Sequence, residues 1–557
     1  MATSSLRTAK TRGRAVAAAK PTADPMPHGT DRGTTWKPAF AGSLLLFAAF
    51  PPIDAWPLAW LAPALWLLIV RRPERPGRRP YLVLWCAGFA YWFLVLHWLL
   101  LPAPPATGIG WLALSIYLGF YLPAFVAVCR VAVHRFAVPL VVAAPVAWAG
   151  LELAQSHLLT GFNMAALGHS QWRWLSLIQV ADLAGGYAVS FVVMLVSACL
   201  ASTVPMGQAR WTARPLVPGM AMLVAAVSYG YWRLDHAPGK TGPTIALIQG
   251  SIDTELKHDP VKQREIYPHY FELSQRAVDE ASDVDLIVWP ETMYRDSLLA
   301  MTDDAVLPAT WHATLDEVRE EVPRREREIS RQADLLKTPL LLGIDYLHLG
   351  PQGFEHYNSA LFVSRTGELG PRYDKMHPVL FGEYVPLAKR FAWLSQLSPI
   401  GAGIDWGTET PEFRVDGVRI AANICYESAI PHVIHKQVAS LRKRGAEPDV
   451  LVNLTNDGWF RGSSELDLHL TCGVFRAVEC RKPFLIAANT GISAWIDSDG
   501  RILERGPRRA ADVLIARPQL DDRRSPYLAW GDWPAGICLF LTGCVGAVGL
   551  FRRRSRV

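Results

Sequence analysis

The stretch 421–428, AANICYES, decides the fold. Small and apolar residues lead to Ile424, as a buried strand requires, and Cys425, Tyr426, Glu427 and Ser428 follow at once. A strand that ends in polar side chains presents them at the rim of a sheet, where ligand sites gather in α/β folds. Apolar, often β-branched runs recur at 244–249, 285–289, 339–344, 359–364, 418–424, 450–454 and 484–488. Helical patterns lie between some of them, at 260–280, 316–336 and 466–480. The region 243–520 therefore reads as an α/β domain. Glu291, Asn456, Asp457 and Asn489 also stand at predicted strand ends.

Three of these residues suit one chemistry. A thiol such as Cys425 needs a base or a nearby cation to become a nucleophile near neutral pH. Glu291, in LIVWPET (286–292), follows an apolar run that Pro290 turns. A carboxylate beside Trp289 is partly desolvated, which raises its pKa toward that of a useful base. Lys375, in YDKMHPVLFGEYVP (373–386), sits in a stretch that mixes aromatics with charge. A cation there can lower a thiol pKa and hold an oxyanion. Glu383 offers a second carboxylate. Taken singly, each gives only a weak case, the ordinary readings being a buried structural thiol, a solvated loop carboxylate and a surface lysine.

The rest of the chain is of another kind. Half of the 557 residues are hydrophobic and only 19% are charged, a balance that points to a membrane protein with a polar part. Apolar runs fall at 38–70 (broken at Pro51-Pro52 and Pro57), 81–101, 108–129, 138–153, 187–201, 216–231 and 527–551. Most approach the length a membrane helix needs. Counting the first run as two, the expectation is about seven spans over 38–235 and a last one at 527–551. The links alternate in charge: 71–80 carries Arg71, Arg72, Arg75, Arg78 and Arg79 against Glu74, and the next link, 101–107, is uncharged. Basic links stay in the cytoplasm, so both termini are expected inside and 243–520 outside. The basic N-terminal tail, 1–37, reads as disordered. No basic patch alternates with aromatics, which argues against a nucleic-acid partner. None of the eight cysteines forms a CxxC pair, so neither a zinc site nor a redox motif is indicated. Cys472 and Cys480 fall on one predicted helix, too far apart along its axis to pair. His97 and Glu152, in or near apolar runs, are each either functional intramembrane groups or wet interfacial ones.

The order WPE, then YDK…FGEYVP, then CYE resembles the nitrilase (carbon–nitrogen hydrolase) superfamily. NLTNDGWF (453–460), RAVECRKP (476–483) and NTGISAWIDSDG (489–500) extend the likeness. More narrowly, the chain resembles the bacterial apolipoprotein N-acyltransferase family over about residues 38–551. The resemblance implies a multi-helix membrane domain joined to an αββα nitrilase-like sandwich. It implies Glu291 as general base, Lys375 as oxyanion-stabilising cation and Cys425 as nucleophile. Glu383, Tyr426, Glu427 and Asn358 match positions needed for activity or placement, Trp459 matches a lipid entrance, and His469 matches a family histidine. The implied reaction moves an acyl chain from a phospholipid, through a Cys425 thioester, to the N-terminal amine of a diacylglyceryl-cysteine in an apolipoprotein. It needs no metal or organic cofactor. The implied location is the bacterial inner membrane, with the catalytic domain on the periplasmic face. Two alternatives stand beside it: a membrane-anchored nitrilase-family amide hydrolase, and a catalytically silent lipid-binding scaffold. The chain departs from the family pattern in the exchanged Pro378 and Leu380, and in His258, which stands where the family carries Trp. The charged stretch 295–328 reads as a helical insertion with a solvated face.

Overall fold

The computed structural model describes residues 35–74, 77–102, 106–206, 210–236, 239–252, 260–308, 311–387, 390–391 and 403–551. The tail as far as residue 34, and His258, lie outside them. The apolar runs fold as helices: α1 (Trp36–Ala48), α2 (Ala62–Arg71), α3 (Pro80–Val95), α4 (Ala106–Gly119), α5 (Tyr121–Phe136), α6 (Leu140–His157), α7 (Gly186–Thr203) and α8 (Leu216–Leu234). Pro51 and Pro52 cannot continue α1, and a turn carries the chain on to α2. By length and composition, Thr107–Phe136, Gly186–Thr203 and Trp533–Phe551 are long and apolar enough to cross a membrane.

The polar region forms two sheets. The first runs β13–β1–β2–β4–β5–β6, from β1 (Ile245–Gln249), β2 (Leu286–Val288), β4 (Leu340–Gly350), β5 (Gly353–Val363), β6 (Leu369–Asp374) and β13 (Asp512–Ala516). The second runs β12–β11–β10–β9–β8–β7, from β7 (Phe413–Val415), β8 (Val418–Ile424), β9 (Val450–Thr455), β10 (Phe484–Ala488), β11 (Ala494–Ile496) and β12 (Ile502–Arg505). Each has a parallel centre, β1–β2–β4 or β8–β9–β10. Alternate side chains on the two sheets meet: Leu247, Val288 and Leu341 pack with Ile420, Val452 and Leu485. The other face of the first sheet packs on α9 (Pro260–Glu280) and α10 (Leu315–Leu336), through Ile266, Tyr270, Ile329 and Ala333. The outer face of the second packs on α11 (Pro431–Lys443) and α12 (Glu465–Cys480), through Ile434, Val438, Leu470 and Val474. The result is an αββα sandwich. Central strands buried on both faces explain why their sequences are almost continuously apolar.

The stretch expected as a helical insertion is half strand. β3 (Tyr294–Met301) pairs in parallel with the far half of β4, and the helix begins only at Leu315. Thr314 caps it in a reciprocal box with Glu317. The outer face of α10 carries local ion pairs, such as Arg324 with Glu321 at 2.6 Å.

Helix α12 joins the two halves of the molecule. Val474, Phe475 and Val478 pack against Leu177, Ile178, Val189 and Val192 of the membrane half. Arg481, fully buried, reaches Asp182 Oδ2 (2.6 Å), Gln179 Oε1 (2.6 Å) and Asp499 Oδ1 (3.2 Å). Asp182 also takes Arg233 at 2.8 Å. Arg481→Met leaves a buried carboxylate short of its main partner, and is expected to cost about 3 kcal/mol. Chemical denaturation of the full chain in detergent measures it. The last helix, α13 (Trp533–Phe551), packs on α6, where Gly150 lets the Cys538–Leu539 backbone approach closely.

Candidate active site

Four strand ends converge between the sheets. The chain leaves β2 through Trp289 and Pro290 to Glu291; it leaves β6 at Lys375, β8 at Cys425 and β9 at Asn456. Asn358, inside β5, points into the same space.

Lys375 is wholly buried and lies between two carboxylates, with Nζ 3.2 Å from Glu291 Oε1 and 2.7 Å from Glu383 Oε1. Burial alone pulls its ammonium down, but the Glu291 and Glu383 charges outweigh that and hold it well above the ordinary lysine value. Asn358 Nδ2 donates to Glu291 Oε1 at 2.7 Å, and the Asn456 N–H donates to Glu291 Oε2 at 3.0 Å. Both oxygens of Glu291 thus face donors. Glu383 is held on its other oxygen by the Val379 N–H at 2.8 Å. Pro378 leaves this bond intact, because the N–H that is used belongs to the next residue.

Cys425 opens a short 3₁₀ turn, Cys425–Ala429, with φ of 53°. That left-handed backbone is strained for any residue but glycine, and it turns the thiol out of the strand direction. The carbonyl of Cys425 accepts from Asn453 Nδ2 at 3.0 Å and Ser428 Oγ at 3.2 Å. Burial pushes the thiol well above its ordinary value and Glu291 adds to this, while Lys375 opposes. The resting sulfur is therefore a thiol that needs a base.

Both oxygens of Glu427 are taken by donors. Fully buried, it accepts from the Ile424 N–H (2.7 Å), the Met376 N–H (2.7 Å), the His377 N–H (2.9 Å) and Tyr373 Oη (2.9 Å). These bonds tie the end of β8 to the end of β6, and so hold Cys425 beside Lys375. Tyr426 points the other way: its hydroxyl donates to the Gly161 carbonyl of the membrane half at 3.1 Å. Trp459, part-buried, lies on the turn Asp457–Phe460, whose Phe460 meets Trp98 edge-on at 4.9 Å. The site thus borders the membrane helices.

His469 lies behind Cys425, with Nε2 3.2 Å from the Cys425 carbonyl and 2.7 Å from Ser428 Oγ, and Nδ1 3.1 Å from Asp457 Oδ1. Burial disfavours its charged form, but Asp457 outweighs this and raises the ring from 6.5 to about 9. A raised folded value means that the stabilisation is full below pH 6.5 and is lost as pH rises through about 9. Wild type is therefore expected to lose thermal stability between pH 7 and 9.5 more steeply than His469→Gln, as melting curves across that range would show.

Sequence reasoning missed Asn453 and Tyr373. Asn453, an amide inside the apolar run LVNLT, was the available signal, since a polar residue in a buried strand must find partners. Of the two ionisable residues noted in the apolar half, His97 is exposed, whereas Glu152 is buried and accepts from the Leu167 N–H at 2.8 Å.

The chain matches the family profile described as apolipoprotein N-acyltransferase N-terminal domain over residues 42–199, and that described as carbon-nitrogen hydrolase over 244–525. The apolipoprotein N-acyltransferase of Rhodopirellula baltica is 33% identical, across 93% of this chain and 98% of its own. The one from Geobacter metallireducens is 33% identical across 93% and 95%, and the one from Azotobacter vinelandii 31% across 93% and 96%. Among solved structures, an amidase from Nesterenkonia sp. aligns at a TM-score of 0.35 and 16% identity, covering 53% of this chain and 99% of its own.

Proposed function

From the premise that the chain belongs to the apolipoprotein N-acyltransferase family, within the carbon–nitrogen hydrolase superfamily, we infer its reaction: it moves a fatty acyl chain from a phospholipid to the N-terminal amine of diacylglyceryl-cysteine in apolipoproteins. The observation that carries the assignment of roles is the buried Lys375 held between Glu291 and Glu383 beside Cys425.

Glu291 takes the thiol proton. The sulfur attacks the ester carbonyl, and Lys375 stabilises the oxyanion that forms. As the tetrahedral intermediate collapses, the ester C–O bond breaks. Glu291 returns its proton to the leaving oxygen, and a lysophospholipid departs. Cys425 keeps the acyl group as a thioester. The acceptor amine then attacks that carbonyl, Glu291 takes the amine proton, an amide forms, and the thiol is restored. Asn358 and the Asn456 N–H orient Glu291, and Glu427 fixes the two strand ends. No step calls on a metal or an organic cofactor.

Both substrates are lipids, and withdrawing a chain from the bilayer costs about 0.8 kcal/mol per CH₂. The site must therefore sit at the membrane surface. The Tyr426–Gly161 bond and the Phe460–Trp98 contact support this placement, and Trp459 beside Phe460 is suited to receive an acyl chain. The protein is membrane-associated. Within this reading it is a multi-pass protein of the inner membrane, with spans over 38–235 and at 527–551, cytoplasmic termini, and the domain 243–520 on the periplasmic face. The basic links such as 71–80 support that orientation.

The test is incubation of the purified chain with acyl-labelled phospholipid and a diacylglyceryl-cysteine peptide. Label is expected on the peptide amine. Its release as free acid instead, with or without peptide, would identify a hydrolase. No turnover of either kind would leave only a lipid-binding scaffold.

A further inference from the structure

A second cluster of ligating side chains lies at the seam between the membrane helices and the sandwich. It joins His157 at the end of α6, His432 in the first turn of α11, and Asp532 just before α13. One ligating atom from each lies within 4.8 Å of the other two. His157 Nε2 is 3.8 Å from Asp532 Oδ2, and the His157 and His432 rings stack at 4.1 Å.

The surroundings of His157 and Asp532 are those of metal ligands. A ligating imidazole donates its other N–H to an oxygen, which fixes the tautomer and leaves the free nitrogen aimed at the ion. His157 Nδ1 lies 3.1 Å from the Leu153 carbonyl and 3.0 Å from Ser156 Oγ, so Nε2 is the free atom, directed toward Asp532. A ligating carboxylate is likewise held on one oxygen, and Asp532 Oδ1 accepts from Tyr527 Oη at 2.6 Å. His432 Nδ1 is buried without a hydrogen-bond partner. It stands in the first turn of a helix, where the helix dipole disfavours an imidazolium and favours the neutral ring that ligates. His157 is substantially exposed, which leaves a path for an ion from solvent.

We propose that His157, His432 and Asp532 bind one divalent transition-metal ion of the zinc class. Two imidazoles and one carboxylate suit Zn²⁺, Ni²⁺ or Cu²⁺ and not Mg²⁺ or Ca²⁺. Ligand atoms around zinc stand about 3.3 Å apart, so small rotations of these side chains close the set, with water in the fourth position. The three ligands come from the last membrane helix before Leu158, the helix that follows the Cys425 turn, and the approach to the final helix. A bound ion would therefore pin the sandwich to the membrane helices on both sides of it. His377, edge-on to His432 at 6.3 Å, donates its backbone N–H to Glu427, so the pin stands next to the fastening of the active site.

The test uses the full chain in detergent, treated with chelator, equilibrated with ZnCl₂ and freed of excess metal by gel filtration. One zinc per chain and a higher melting temperature are expected in wild type, with both lost in His432→Ala and Asp532→Asn. His157→Ala, at the exposed ligand, should fold normally and still lose the metal. Tyr527→Phe should weaken binding about tenfold, as the loss of an outer partner does. With Co²⁺ in place of zinc, wild type should show tetrahedral visible absorption that His157→Ala lacks. No metal bound by wild type would overturn the proposal. So would equal metal in wild type and His157→Ala, or loss of metal in His469→Ala with His157→Ala unaffected, which would move the site to the buried trio of Asp457, Glu465 and His469. None of these readouts depends on acyl transfer.

Discussion

Cys425→Ala is expected to end acyl transfer, with a loss of about 10⁴-fold or more, as for a nucleophile that forms the covalent intermediate. The fold should survive. The φ of 53° is no worse for alanine than for cysteine, and the bonds that hold this turn go to the backbone carbonyl, not to the sulfur. Intact mass spectrometry after exposure to phospholipid would report the chemistry directly. Wild type should gain the mass of one acyl chain, removable by hydroxylamine, and Cys425→Ala should gain nothing. An equal adduct in the variant would place the acyl group on another residue and end the assignment. Cys472 and Cys480 are poor rivals, since both are buried on α12, and it is Cys425 that the Glu291 and Lys375 charges reach.

Glu291→Gln is the second large effect, expected at about 10³-fold in turnover from loss of the proton acceptor. Size is kept but the hydrogen-bond pattern is not. Glu291 Oε1 receives Lys375 and Asn358, and Oε2 receives the Asn456 N–H. A glutamine oxygen can serve one side only. Its NH₂ then meets a donor on the other, and Lys375 loses one of its two carboxylates. The variant should therefore bind phospholipid but form the acyl adduct far more slowly, measured as adduct mass against time. An unchanged rate of adduct formation would move the base elsewhere, with Glu383 the next candidate by position. Glu383→Gln separates the two: it keeps the Glu291 base and is expected to slow both half-reactions by weakening the hold on Lys375.

Much of the catalytic half was legible along the chain. The central strands are buried on both faces, so they read as apolar runs, and a polar residue that ends such a run stands out. Glu291, Cys425 and Asn456 were visible in this way. β3 was not, because Asp296 and Ser297 interrupt it before Leu298 and it pairs only with the far half of β4. Glu427 was visible as a polar neighbour of the cysteine, but its part as a fastener was not. That part rests on N–H groups of Met376 and His377, about fifty residues away.

The sequence by itself determined the kinds of group available, their order, and the division into apolar and polar halves. Those are local properties, written in composition and in the period of hydrophobic residues. Only the tertiary structure decided which groups meet. Lys375 reaches Glu291 across 84 residues and Tyr426 reaches Gly161 across 265. Arg481 closes on Asp182 across 299 residues, and His157, His432 and Asp532 meet from three separate elements. Periodicity says which face of an element is buried and nothing about what lies opposite. Lys375 shows the difference most plainly. As a lone letter it reads as an ordinary surface charge, and the two carboxylates that close over it in the fold make it the buried cation beside the thiol.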